Sequence, residues 1–169
     1  PADLIREARE AGRIGLSFQP PEADWAAISR RLWTQIGHSE GIRRGLKSTS
    51  GLDVYEGTAQ FTAPKRMRVL YESGETTEEF SAGSFVLAAG ARSFVPPVSG
   101  LEEAGYVTAE TFFGEKYPKR PWKSLIIVGG GAIGAEFAHI FSAFGAQVTV
   151  VEMKDRIIPT EEEEISAFV

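Results

Sequence analysis

LIIVGGGAIGAEFAHIFSAFGAQVTVVE, residues 125–152, decides the fold. Four β-prone apolar residues, Leu125 to Val128, run straight into glycines, and the glycines lead into a helix-forming stretch from Ala132 to Phe144. Gly145 ends that stretch, and the β-branched run QVTVVE follows it. Strand, turn, helix and strand in this order make one βαβ unit, whose two strands lie parallel. Within it Gly129, Gly131 and Gly134 are spaced G-x-G-x-x-G. The first glycine permits the tight turn, the second lets a pyrophosphate approach the backbone, and the third lets helix and strand pack closely, while the helix N-terminus attracts phosphate. A glycine-rich turn without a ligand is the plain alternative for a bare triplet. Glu152, at the end of the second strand, argues against it: a carboxylate there accepts the ribose hydroxyls of an adenosine and repels a 2′-phosphate. NAD is therefore favoured over NADP.

Upstream, ADLIREAREA (residues 2–11) places Leu4, Ala8 and Ala11 on one helical face, with Gly12 as the expected left-handed stop. Asp24 is a good N-cap for a second helix, in which Trp25, Ile28, Leu32 and Ile36 recur at helical spacing as far as Leu46, loosened at Gly37 and Gly41. From Leu52 the pattern turns β-rich. DVYEGTAQF, RMRVLYES and SFVLAA read as a small meander with Ser73-Gly74-Glu75 as a turn, and Pro96, Pro97 and Gly100 then make a crossing segment. Downstream, Thr160 and Glu163 form an expected capping box for a last helix. Both ends are abrupt, and a lone pair of parallel strands buries little. A piece of a longer protein is expected, with the edge of VTVVE and the apolar face of helix 132–144 uncovered.

Composition narrows the function classes. The chain has 169 residues, 43% hydrophobic and 24% charged, which suits a globular domain. A net charge of −5 with scattered basic residues gives no footprint for nucleic acid or a membrane surface. No apolar run approaches the ~20 residues that span a bilayer, so the expected compartment is cytoplasmic. Cysteine is absent, which removes a disulfide, a thiolate metal site and a cysteine nucleophile from these residues, and no metal site is expected.

The run from Gly129 to Pro159 (GGGAIGAEFAHIFSAFGAQVTVVEMKDRIIP) resembles the NAD domain of the pyridine nucleotide-disulfide oxidoreductases, and looks closest to their dihydrolipoamide dehydrogenase branch. LAAGARSFVPPVSG (87–100) is similar to the family's second FAD motif, VTAETFF (107–113) to its inter-domain segment, and GTAQF (57–61) to the loop near the FAD adenine. The resemblance implies an α/β fold: part of an FAD-binding domain, helices plus β-meander, over 1–113, then the first βαβ of a Rossmann-type NAD-binding domain over 114–169. It implies two cofactors, FAD and NAD. Ala89, Gly90 and Ala91 would approach FAD through their backbones and Ala59 its adenine end, although LAAG reads equally well as the end of a buried strand. Ala89 and Ala91 stand where the family more often has Thr and Ser, so two hydroxyls are lost.

For NAD, the resemblance places Gly129, Gly130, Gly131, Ala132, Ile133, Gly134, Ala135 and Glu136 around the pyrophosphate and nicotinamide, and Glu152 at the ribose. Glu136 has a second reading as a simple partner of the helix dipole. Ala132 stands where some relatives carry a tyrosine gate.

The family's activity moves electrons between NAD(H), FAD and a small dithiol or disulfide, through a cysteine pair just upstream of residues matching Ala2 to Ala11. Neither cysteine is here, so no catalytic residue is assigned. The implied parent is a homodimer formed through a further domain. Dihydrolipoamide is the expected substrate, with a mercuric or other disulfide reductase, or a catalytically silent nucleotide-binding module, as alternatives. His38, His139, Trp25, Trp33 and Trp122 are read as surface or packing residues.

Overall fold

A computed structural model of the chain describes residues 1–19 and 21–169. In chain order it contains α1 (Ala2–Glu10), a 3₁₀ turn (Ala11–Ile14), α2 (Trp25–Ser48), β1 (Thr58–Ala63), β2 (Arg66–Leu70), β3 (Phe80–Ser81), α3 (Leu101–Ala104), α4 (Ala109–Phe112), β4 (Ser124–Val128), α5 (Ala132–Ala143), β5 (Gln147–Val151) and α6 (Glu163–Phe168). They fall into two compact units, Pro1–Trp33 with Ser93–Val169, and Thr34–Arg92.

The first unit is built on the βαβ motif. β4 and β5 pair in parallel from Ser124↔Gln147 to Val128↔Val151. The pleat sends Leu125, Ile127, Val148 and Val150 inward, while Ile126, Val128 and Val151 on the other face stay 70%, 51% and 52% exposed. α5 closes the inner face, and its Phe141 is fully buried. Around that ring gather Trp25, Phe112 and Ala146, with Trp122 stacked on Phe141 at 5.0 Å and Phe137 edge-on to Phe112 at 4.9 Å. Offset and edge-on aromatic pairs add to the stabilisation from area burial. Trp25 also satisfies its indole N–H, which donates to the Pro118 carbonyl at 2.9 Å. The α5 face that carries Phe137 and Phe141 is therefore covered, contrary to expectation, because Trp25 and the α4 residue Phe112 supply aromatic surface from distant parts of the sequence, while Ile133 and Ile140 stay 60% and 37% exposed. Among the described residues β5 pairs with β4 alone, as expected.

Local corrections follow from hydrogen bonding. α1 buries Ala2 and Ile5, with Ala8 half-buried and Ala11 buried as expected, but Leu4 is 67% exposed, so the stripe runs through Ile5 rather than Leu4. Packing against α5, to which the Asp3 carboxylate and the His139 imidazole form a 2.8 Å hydrogen bond, selects that stripe. Gly12 is not the stop: the chain tightens into the 3₁₀ turn, and Gly15 takes the left-handed conformation at φ 81. Asp24 does cap α2, accepting the Ala27 N–H at 2.9 Å, and the helix continues through Gly37 and Gly41 without a break. α4 is closed by a reciprocal capping box between Thr108 and Thr111.

The second unit carries an antiparallel sheet in the order β1-β2-β3, with Thr58 opposite Leu70 and Met67 opposite Phe80. Gly57 must be glycine, because a Cβ there would lie 2.4 Å from the Leu70 carbonyl oxygen. Gly74, at φ 86, makes the expected turn after β2. SFVLAA is not a strand. Residues 84–92 make no ladder, and Val86 and Leu87 are 91% and 79% exposed. β-propensity describes fitness for a paired, half-buried surface, and this run has neither pairing nor burial; the third strand is the shorter β3. Among the described residues, no helix is long and apolar enough to cross a membrane.

Candidate functional site

The three motif glycines meet three different steric demands. Gly129 sits at φ 109, a conformation open to glycine and strained for other residues, and its N–H continues the β ladder to the Val151 carbonyl at 2.9 Å. Gly134 lies so close to the turn that a Cβ would fall 2.1 Å from the Gly129 carbonyl oxygen and 3.3 Å from Ile127 Cγ2. A Cβ on Gly131 would meet nothing within 4 Å, so the space in front of it is open. The first bond from the turn into α5 is Ala135 N–H to the Gly131 carbonyl at 2.9 Å, which leaves the amides of Gly131, Ala132 and Ile133 ahead of the helical ladder. Ala132 and Ile133 flank the opening, with Ile133 60% exposed. Open approach, free amides and a helix N-terminus together make an anion-binding turn.

Glu152 is brought into this turn. Its Oε2 accepts the Gly130 N–H at 2.7 Å, and its Oε1 accepts the Lys154 N–H at 2.9 Å. Those two amides, Lys154 first, hold the carboxyl below its ordinary pKa, so it is ionised at neutral pH. A carboxylate offers about four acceptor sites, so these bonds leave capacity for a ribose hydroxyl. These residues fit a dinucleotide bound across the turn.

Glu136 lies on the first turns of α5, at the rim of a cavity of about 450 Å³ walled by Trp25, Phe112, Phe137 and Phe144. His139 lines the same cavity. Ala59, Ala89, Gly90 and Ala91 belong to the second unit. Ala59 is an exposed β1 residue opposite Val69, and Ala89 to Ala91 form an exposed run in which Gly90 takes φ 72. That run offers backbone amides, but these four residues do not by themselves wall a cradle for a flavin. Among the described residues, no three His, Asp or Glu side chains are grouped to hold a metal.

Sequence reading missed the segment behind the turn. Ile158 donates its N–H to the Gly130 carbonyl at 2.6 Å, Ile157 packs over Gly130, and the buried Ser166 hydroxyl donates to the Ile157 carbonyl. The Thr160–Glu163 capping box does not form. The Arg156 guanidinium instead holds the carbonyls of Pro159 and Glu161, and α6 begins only after Glu162. Ile158, a β-branched residue at φ 47, gives no sequence signal for such a turn.

The family model described as pyridine nucleotide-disulphide oxidoreductase matches residues 3–169. The dihydrolipoyl dehydrogenase of Acholeplasma laidlawii is 36% identical over 148 residues, covering 84% of this chain and 41% of that protein. That of Chlorobaculum parvum is 32% identical over 169 residues, covering 98% of this chain and 34% of that protein. Among solved structures, a Cu(II) complex of the HOCl-induced flavoprotein disulfide reductase RclA from Escherichia coli superposes with a TM-score of 0.69 at 25% identity, over 97% of this chain and 34% of that one. The chain thus spans between a third and two fifths of the length of these relatives.

Proposed function

Because the chain belongs to the pyridine nucleotide-disulphide oxidoreductases, we propose that it is the part of a flavoprotein that carries the first half of an NAD(H) site and a stretch of the FAD site, in an enzyme acting on dihydrolipoamide. The observation that supports this best is the ionised Glu152 carboxylate held against Gly130 beside three open amides. In this reading residues 1–113 serve FAD and residues 114–169 serve NAD, and the whole protein is a homodimer.

The chain's own residues bind and orient. Gly131, Ala132 and Ile133 present N–H groups to the pyrophosphate, and α5 adds the positive end of its dipole. Glu152 takes the ribose hydroxyls and, being charged, disfavours a 2′-phosphate. Glu136, on the same helix, fixes a carboxylate near the nicotinamide end. Ala59, Ala89, Gly90 and Ala91 contribute backbone surface to the flavin. When bound, the nicotinamide and the flavin supply the hydride and electron chemistry.

A second reading, a reductase of another disulfide, is favoured by the structural likeness to RclA at a TM-score of 0.69. Steady-state turnover of the whole protein with NADH and lipoamide, against NADPH and against other disulfides, separates them. Turnover with lipoamide and NADH is expected. A preference for NADPH would remove Glu152 from the ribose, and inertness toward lipoamide with activity on another disulfide would select the second reading.

A further inference from the structure

Two successive peptides of the glycine turn, joined at Gly130, are held by the chain that follows β5. Gly130 gives its N–H to Glu152 at 2.7 Å and receives the Ile158 N–H on its carbonyl at 2.6 Å. A Cβ on Gly130 would lie 3.0 Å from Ile157 Cγ2 and 3.3 Å from Glu152 Cβ, so side chains pack on it as well. Ile158 makes its bond only by adopting φ 47, a region that β-branched residues rarely occupy.

Such a conformation persists where its surroundings over-determine it. Here they do. The Ile158 carbonyl accepts the Glu161 N–H at 3.0 Å, and the Ser166 hydroxyl, on a residue 7% exposed, donates to the Ile157 carbonyl. Arg156 Nη2 ties the carbonyls of Pro159 at 3.4 Å and Glu161 at 3.2 Å.

We propose that residues 153–166 act as a strap that orients the 130–131 peptide, and with it the Gly131 N–H, for the phosphates of the adenosine half of the dinucleotide, with Ile158 as its decisive positioning residue. The proposal rests on the NAD reading above. Without the Ile158 bond the 130–131 peptide is free to rotate, and the Gly131 N–H that it carries must be ordered at the moment of binding. Ser166 acts one step further out, by fixing the carbonyl that precedes Ile158.

The test uses the whole flavoprotein and two probes, NADH and ADP-ribose, which share the adenosine half. Ile158→Pro removes the donor and forbids the positive φ, whereas Ile158→Gly keeps the donor and adopts that φ freely. Ile158→Pro should weaken both probes by about tenfold and to the same extent, with bound flavin and kcat at saturating NADH unchanged. Ile158→Gly should stay within about twofold of wild type. Ser166→Ala, a milder variant that carries the test if Ile158→Pro does not fold, should weaken both probes by about three- to fivefold. Wild-type affinity in Ser166→Ala or Ile158→Pro would overturn the proposal, as would equal losses in the glycine and proline variants. If the wild-type protein bound neither probe, the NAD reading would fail first and the strap with it.

Discussion

The carboxylate of Glu152 and the amide of Gly130 lie 2.7 Å apart, so the residue that closes β5 is already bound to the turn that follows β4. In the proposed NAD site, the ribose acceptor and the phosphate turn would thereby be fixed relative to each other before a ligand arrives. Glu152→Ala removes both the ribose acceptor and this tie. In the whole protein it should weaken NADH by about ten- to a hundredfold while leaving flavin content unchanged, as equilibrium titration and flavin absorbance would show. Flavin loss in parallel with NADH loss would count against a local role.

The same carboxylate sets a pH dependence. Its pKa is lowered by the Lys154 and Gly130 amides, so its contribution is present above the ordinary carboxylate value and fades as pH falls through the folded-state value. NADH affinity should be flat from neutrality down through the ordinary carboxylate range and decline only below it. Glu152→Gln, titrated alongside, should be weaker at neutral pH and show no such decline.

Gly131 and Gly134 should respond oppositely to a single methyl group. Gly134→Ala places a Cβ 2.1 Å from a backbone oxygen and should cost at least about 1–3 kcal/mol of stability as α5 is pushed off β4. Gly131→Ala meets no protein atom within 4 Å and has an ordinary φ of −70, so the fold should be unaffected while the pyrophosphate loses its approach. Denaturant midpoints and NADH titrations of the two variants check the pair: one should lose stability, the other affinity.

Phe141 carries the first unit's core. Its ring is fully buried among Trp122, Phe137, Phe112 and Trp25, so Phe141→Ala should cost about 3–5 kcal/mol. Phe141→Leu should retain most of that. Urea unfolding of the two variants supplies the comparison, and a loss below about 1 kcal/mol for alanine would mean that the cluster repacks around the gap.

How much of this was legible in the sequence depended on how local the determinant is. The βαβ unit could be read because Gly129 answers a positive φ and Gly134 a clash with the Gly129 carbonyl, both within the turn, and Asp24 could be read as a cap because its partner is Ala27. SFVLAA misled because its composition is that of a strand while a strand also needs a neighbour. On α1 the sequence points to Leu4 where Ile5 is buried, because α5, distant in sequence, selects the stripe. Ile158 and Ser166 stayed hidden for the same reason: their partners are a glycine carbonyl in another loop and a carbonyl nine residues back.

All three tryptophans of the chain lie within the residues of the first unit. Trp25 is stacked on Tyr117 at 5.6 Å, Trp33 is edge-on to the same tyrosine at 5.3 Å, and Trp122 lies on Phe141. Intrinsic indole emission is thus an optical label for the first unit alone. Melting of the β1-β2-β3 sheet will pass silently through such a measurement, and only far-ultraviolet dichroism or the tyrosines at 55 and 71 will register it. An experimenter who follows a single fluorescence trace will see one clean transition, and will be watching only part of the molecule.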